Sequence, residues 1–370
     1  MAMSQVNVIN KIKIVVTLFT LVVLAGCSVT PKEQEHVHVF YPPLPNPPRV
    51  QHLLSLTTFD DLNRTKNSFA DFILGSQSKE YLVEKPYGIA LDDGKVYVVD
   101  SARAGYVVLD LVTRKRKFIT GGAAGRMNKP INITIDQDGA KYISDTGRQQ
   151  VLVFDNKDKF IRAYGTKGQF KPSDVALTDK KLFVTDLKGH RILVLDKLLG
   201  HTVGEIGKVG SEQGEFYYPT NVAIGPDQHL YVTDTGNYRV QKYTLEGSFV
   251  HQYGSIGSGL GKFARPKGIT LDKDGRLYVV DAAFENIQVI DNSGKLLLFF
   301  GKPGDDPADI NLPADVSIDY DSIKFFQAFA HPKFKLEYVL LVSSQFGVNK
   351  INIFGFGRME GMDYSNIDKK

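Results

Sequence analysis

Four oxygen-bearing side chains, Asn132, Asp174, Asn221 and Asp315, stand in one repeated place in this chain, two residues after a proline and just before a branched aliphatic residue. Carboxylate and carboxamide oxygens brought together from separate segments suit a hard cation, calcium above all. The same residue types also serve tight turns, because short polar side chains bond neighbouring backbone and tolerate unusual dihedrals. Gly88 and Gly268 fill the same place in two further copies of the phrase, Pro86-Tyr87-Gly88-Ile89 and Pro266-Lys267-Gly268-Ile269. A calcium site at this ring is therefore one expectation, and turn chemistry is the other.

A second carboxylate series, Asp100, Asp145, Asp186, Asp234 and Asp281, closes an apolar run 14 or 15 residues after the proline. Catalysis needs one special environment rather than five equivalent ones. These aspartates are expected to accept backbone N–H bonds in the turn that follows. The 8 histidines are scattered, and His229 and His251 have no partner at ligand spacing, so no histidine-held zinc or copper is expected. Residues 254–262 are rich in glycine but are no phosphate loop, since Ile256 and Phe263 stand where that motif needs Gly and Ser or Thr. Cys27 is the only cysteine, which excludes an intrachain disulfide and a covalently bound c-type haem. With no tryptophan to stack on a sugar ring, carbohydrate binding is a weak option. No catalytic residue is assigned.

The elements that must hold these side chains are short strands. The phrase opens at Pro86, Pro130, Pro172, Pro219, Pro266 and Pro313, at intervals of 44, 42, 47, 47 and 47 residues. Copy four shows the unit: Asn221-Val222-Ala223-Ile224, then Leu230-Tyr231-Val232-Thr233-Asp234, then Val240-Gln241-Lys242-Tyr243, then Phe249-Val250-His251-Gln252-Tyr253, each run set off by turn residues. A period in the forties with four strands per unit and no sustained helical period predicts an all-β six-bladed β-propeller. In such a ring the first strand of each copy lines the central channel, and the Asn, Asp and Gly residues sit at its mouth. The sixth copy lacks a fourth strand, and residues 49–56 are expected to supply it and close the ring. Two short helical insertions are expected, over 60–75 and over 322–331, the second capped by Asp321 or Ser322. Phe325, Phe326 and Phe329 on the second either pack on the propeller's underside or anchor a partner.

These phrases resemble the NHL-repeat family of six-bladed propellers over residues 49–357. The family's Asn-His-Arg-Val-like step is matched by Asn237-Tyr238-Arg239-Val240 and Gly189-His190-Arg191-Ile192, and departed from in copies one, five and six. The opening Phe40-Tyr41-Pro42-Pro43-Leu44-Pro45 with Arg49-Val50-Gln51 is similar to a bacterial envelope lipoprotein subgroup of that family. Six-bladed lactonases share this architecture and hold a metal near the axis, with ligands two residues before the first apolar side chain of the channel strand. That register here reads Tyr87, Ile131, Ser173, Thr220, Lys267 and Ala314, without a carboxylate.

The N-terminus carries an address. Lys11 and Lys13 precede an uncharged apolar run that ends in Leu24-Ala25-Gly26-Cys27, which resembles the lipobox of bacterial lipoproteins. The expected organisation is a signal peptide over 1–26, acylated Cys27 with a Pro-rich tether over 27–48, the propeller over 49–357 and a tail over 358–370. Acylation at Cys27 implies a membrane anchor in the cell envelope, and Ser28 favours the outer membrane. Without the signal peptide the chain has 43 basic and 41 acidic residues, which argues against a general nucleic-acid surface. The cluster Arg114-Lys115-Arg116-Lys117 is expected on a solvated hairpin. The first functional expectation is a lipid-anchored, non-enzymatic scaffold that binds envelope proteins, with no cofactor beyond the calcium option. The family resemblance adds multihaem cytochromes as one class of partner. The alternative is a metal-dependent hydrolase or lyase of the lactonase type.

Overall fold

The computed structural model describes residues 38–58, 61 and 80–365. Cys27, the signal segment and all but Asp61 of the helix expected over 60–75 lie outside the described residues. Six antiparallel sheets follow one another along the chain as the blades of a propeller. Blade 1 has strands Pro86–Asp92, Lys95–Asp100, Gly105–Asp110 and Lys115–Ile119, and blades 2 to 5 repeat the four-strand pattern. Branched and aromatic residues at alternate positions bury both faces of the inner three strands, while the outermost strand of each blade meets solvent on one side. The core is divided into clusters that lie between neighbouring blades. Tyr97 and Val99 of blade 1, for example, pack with Ile143, Leu152 and Phe154 of blade 2.

Blade 6 closes the ring as the repeat count requires. Its inner strands are Pro313–Asp319, Phe334–Ser344 and Ile351–Met359, and Val50–Leu56 from the beginning of the fold pairs antiparallel with the last of them. Val50, Leu53 and Leu56 of the closing strand are buried. This hydrophobic contribution is about 5–9 kcal/mol as an upper estimate. The closure leaves no naked edge on Ile351–Met359.

Three details depart from the sequence reading. The Pro-rich stretch expected in the tether folds back instead: Phe40–Tyr41 pairs with Val50–Gln51 as a fifth strand, and Phe40 packs against Phe334. The tail also joins the fold, because buried Tyr364 donates its O–H to Pro48 O at 2.8 Å and accepts from Met359 N at 2.8 Å. The insertion in blade 6 is a single α turn, α1 (Ile323–Phe326), followed by a 3-10 turn, Gln327–Phe329. Its N-cap is Ser322, whose side chain makes no capping bond, and Asp319 Oδ1 accepts from Asp321 N at 3.0 Å and Ser322 N at 2.6 Å in the turn just before it. Phe326 is 2% exposed, and Phe325 and Phe329 pack half-buried on the same core between blades 6 and 1. These rings fill space under the ring, which is the packing alternative of the two expected.

Candidate functional site

Every inner strand begins at its proline, where the missing N–H costs the ladder nothing. In all six blades the register slips immediately after that proline, between Pro130 and Asn132 and between Pro172 and Val175, for instance. The repeated phrase is thus the signature of a β-bulge, a device that re-aims one side chain and leaves backbone amides to be satisfied. The re-aimed residues are Asn132, Asp174, Asn221 and Asp315, all 3–6% exposed, with Gly88 and Gly268 completing the ring.

Their oxygens are taken up by amides. Asp174 Oδ1 accepts from Val175 N at 2.8 Å, and its Oδ2 accepts from Val222 N of blade 4 at 3.0 Å and from Asn221 Nδ2 at 3.4 Å. Asp315 Oδ2 accepts from Ile89 N of blade 1 at 3.0 Å, and Asn132 Oδ1 from Ile133 N at 2.9 Å. Each aspartate therefore reaches sideways to cap the next blade. Glycine is required at the remaining two places, since a Cβ at Gly88 would lie 1.9 Å from Asn132 Oδ1 and one at Gly268 would lie 2.3 Å from Asp315 Oδ1. The sequence reading left turn chemistry and cation binding open, and these bonds favour the first. Among the described residues no group of three or more His, Cys, Asp or Glu side chains could hold a metal ion.

Burial pushes the Asp174 carboxyl up from its usual 3.8 to about 7, against the pull of the Val222 and Val175 amides. Asp315 is raised well above the usual range by burial and then by the charge of Asp174. The pair, from blades 3 and 6, thus behaves as two carboxyls that resist ionising together.

The ring divides the axis into two spaces. On one side lies a cavity of about 440 Å³, walled by aliphatic side chains such as Ile133, Val175 and Ile224 and rimmed by Asp136 and Asp179. On the other lies a smaller mouth of about 150 Å³, lined by Tyr87, Ser173, Lys129, Lys171 and Lys267 among others. The residue before the proline in each phrase stands at this end: Lys85, Lys129, Lys171, Tyr218, Arg265 and Leu312. Four of those six are cations, and no acidic side chain lines the mouth. The opposite end carries the first turns of the blades, where burial and then the charge of Asp93 raise the Asp92 carboxyl. The closed ring thus gathers cations from separate blades around one mouth.

Beside the mouth, His190, Tyr217 and Tyr218 form an aromatic trio. His190 stacks on Tyr217 at 5.3 Å and meets Tyr218 edge-on at 4.7 Å, and Tyr218 N donates to His190 Nδ1 at 3.0 Å. Both tyrosines are nearly half exposed. The sequence reading missed the trio and the basic collar, although the position before each proline was the signal for the collar. The strand-ending aspartates do more than the local capping expected of them. Asp145 accepts from Gly147 N and Arg148 N in its own turn and also from Asn128 N and Lys129 N, so it ties the turn to the collar.

The NHL repeat model matches residues 216–243, which cover the inner strand of blade 4 and its next two strands. Arg239, at the repeat's arginine position, bonds the strand-ending Asp234 at 2.9 Å, which gives that motif its structural reason. The chain is a six-bladed β-propeller with an NHL repeat in blade 4. Among curated proteins, the chain is 28% identical over 169 residues to the Caenorhabditis elegans protein named probable peptidyl-α-hydroxyglycine α-amidating lyase. That match covers 42% of this chain and 48% of the relative, so the chain spans about half the length of that relative. Among solved structures it resembles an auxiliary nutrient binding protein from Bacteroides thetaiotaomicron, with a TM-score of 0.58 and 14% identity over 83% of this chain and 76% of the other. It also resembles a gluconolactonase from Xanthomonas campestris, with a TM-score of 0.54 and 14% identity over 85% and 91%. At such identities the structural likeness establishes the fold alone.

Proposed function

We propose that this propeller is a lipid-anchored, non-enzymatic platform that docks protein partners in the bacterial cell envelope, with the channel mouth and its collar of cations as the docking face. The observation that carries the reading is the mouth register, where Lys267 stands among Tyr87, Ile131, Ser173 and Thr220 and no carboxylate is present to hold a catalytic cation. The collar favours an acidic partner surface by steering, and the half-exposed Tyr217 and Tyr218 are the residue type that dominates binding energy in interfaces. Anchoring through Cys27 to the outer membrane would hold this face near envelope complexes, electron-transfer assemblies of multihaem cytochromes included. The test is affinity capture from envelope membranes with the intact chain and with Lys129→Glu/Lys171→Glu. A defined partner retained by the first and lost by the second supports the reading; equal recovery by both overturns the choice of face.

A second reading is favoured by one observation, the buried pair Asp174 and Asp315 within a chain related over 169 residues to an amidating lyase. As a metal-dependent lyase or hydrolase the propeller would hold a divalent ion, calcium for an oxygen-only site, with Asn132, Asp174, Asn221 and Asp315 as the nearest oxygens. Stoichiometric metal in the purified protein, with a melting point lowered by chelator, would favour it over the platform.

A further inference from the structure

Lys267 is 8% exposed, yet among the described residues it has no carboxylate within ion-pair distance. Its Nζ contacts the phenolic oxygen of Tyr87 at 3.3 Å. The two residues come from blades 5 and 1, which are not neighbours. Blade 6 lies between them and contributes only Ala314 at the matching place, so the small methyl group leaves room for the lysine to lie across the mouth. An ammonium buried without a counter-ion is costly, and such a group is retained where an anion completes it. The surroundings fit. The Tyr87 hydroxyl accepts from Lys267 and keeps its own proton to donate, while the exposed Lys129 and Lys171 line the same space. At about 150 Å³ the space is smaller than pockets that enclose whole drug-sized ligands, and suits a single end group.

We infer that the channel mouth is an oxyanion site, in which Lys267 and Tyr87 bind the carboxylate or phosphate end group of a ligand and Lys129 and Lys171 attract it. This deepens the platform reading and rests on it only in treating the mouth as the binding end. Two buried charges elsewhere among the described residues have their counter-ions in place. Buried Lys141 is paired with Asp158 at 3.1 Å, and buried Asp272 with Arg276 at 2.5 Å.

The experiment is titration of the purified propeller with inorganic phosphate and, separately, with acetate, at constant ionic strength set by chloride. Wild type is expected to show saturable binding of at least one of the two, and their order of affinity tells a phosphate site from a carboxylate site. Lys267→Gln removes a charge-assisted bond and should weaken binding about tenfold or more. Lys157→Gln, on an exposed turn at the opposite end, should leave binding unchanged. Should Lys267→Gln fail to fold, Lys171→Gln, at an exposed position, decides the matter with a loss of several-fold. Absence of saturable binding to wild type, or equal binding by the Lys171 and Lys157 variants, overturns the oxyanion site. It leaves the docking face intact, because partner capture is scored separately.

Discussion

Asp145 is the sharpest place to test how the blades are held. Its carboxylate is fully buried and accepts four amide bonds: Asn128 N at 2.7 Å on Oδ2, with Lys129 N at 2.9 Å, Gly147 N at 3.0 Å and Arg148 N at 2.9 Å on Oδ1. Asp145→Asn can keep its one oxygen over the three amides on the Oδ1 side. It must then turn an NH2 group toward Asn128 N, which leaves that donor without an acceptor, and the three retained bonds lose their charge. One charge-assisted bond lost and three weakened should cost about 2–4 kcal/mol. Asp145→Ala, which abandons all four, should cost more, about 4 kcal/mol or above. The assay is urea unfolding followed by circular dichroism, with Asp179→Asn as the control, since Asp179 is exposed and its change should stay within about 0.5 kcal/mol. If Asp145→Asn unfolds within that same margin of wild type, the strand-ending aspartates are not the ties described here.

Asp174 gives the propeller a signed pH dependence. Because the folded chain raises this carboxyl from 3.8 to about 7, the folded state holds the proton more tightly than the unfolded one. Its contribution is complete below about pH 4 and is lost as pH rises toward about 7. Asp174→Asn, which does not ionise, should flatten that decline, as unfolding measured at about pH 4 and about pH 8 would show. A chain begun at Leu82 lacks the closing strand and exposes the edge of Ile351–Met359, so it should aggregate in size-exclusion chromatography where one begun at His38 stays dispersed. Cys27→Ala should abolish incorporation of labelled palmitate and detergent partition while leaving the melting point of the propeller unchanged; a labelled, membrane-bound variant would remove the anchor from the account.

The fold was legible because its physics is local and repeated. Six prolines that open strands, turn residues at matching offsets and one deficit of a strand at the end already specify a closed ring, and residues 50–56 fill that deficit as expected. The error at Phe40–Tyr41 has the opposite cause. Prolines at 42, 43, 45, 47 and 48 read as an extended spacer, whereas the buried Phe40 ring against Phe334 draws the chain back as a hairpin. Phe325 and Phe329 could be placed on one face by their spacing, but only the packed structure shows that this face meets blade 1, where Gly94 leaves room for Phe325. The ring of Asn and Asp was found from the sequence as a set, and its alternatives were separated only by seeing which amides the oxygens reach. The basic collar was harder. Lys129, Lys171 and Arg265 lie more than 40 residues apart, and they become one surface only when the blades close.

The central claim is that the collar end of the propeller docks an envelope protein, and photocrosslinking in intact cells tests it most directly. A photoreactive residue at Tyr217, beside the mouth, should trap one discrete partner, and the same residue at exposed Leu198, on a turn at the opposite end, should not. Lys129→Glu/Lys171→Glu should remove the Tyr217 crosslink. A crosslink that forms at Leu198 and not at Tyr217, or that persists at Tyr217 after the collar charges are reversed, would contradict the account.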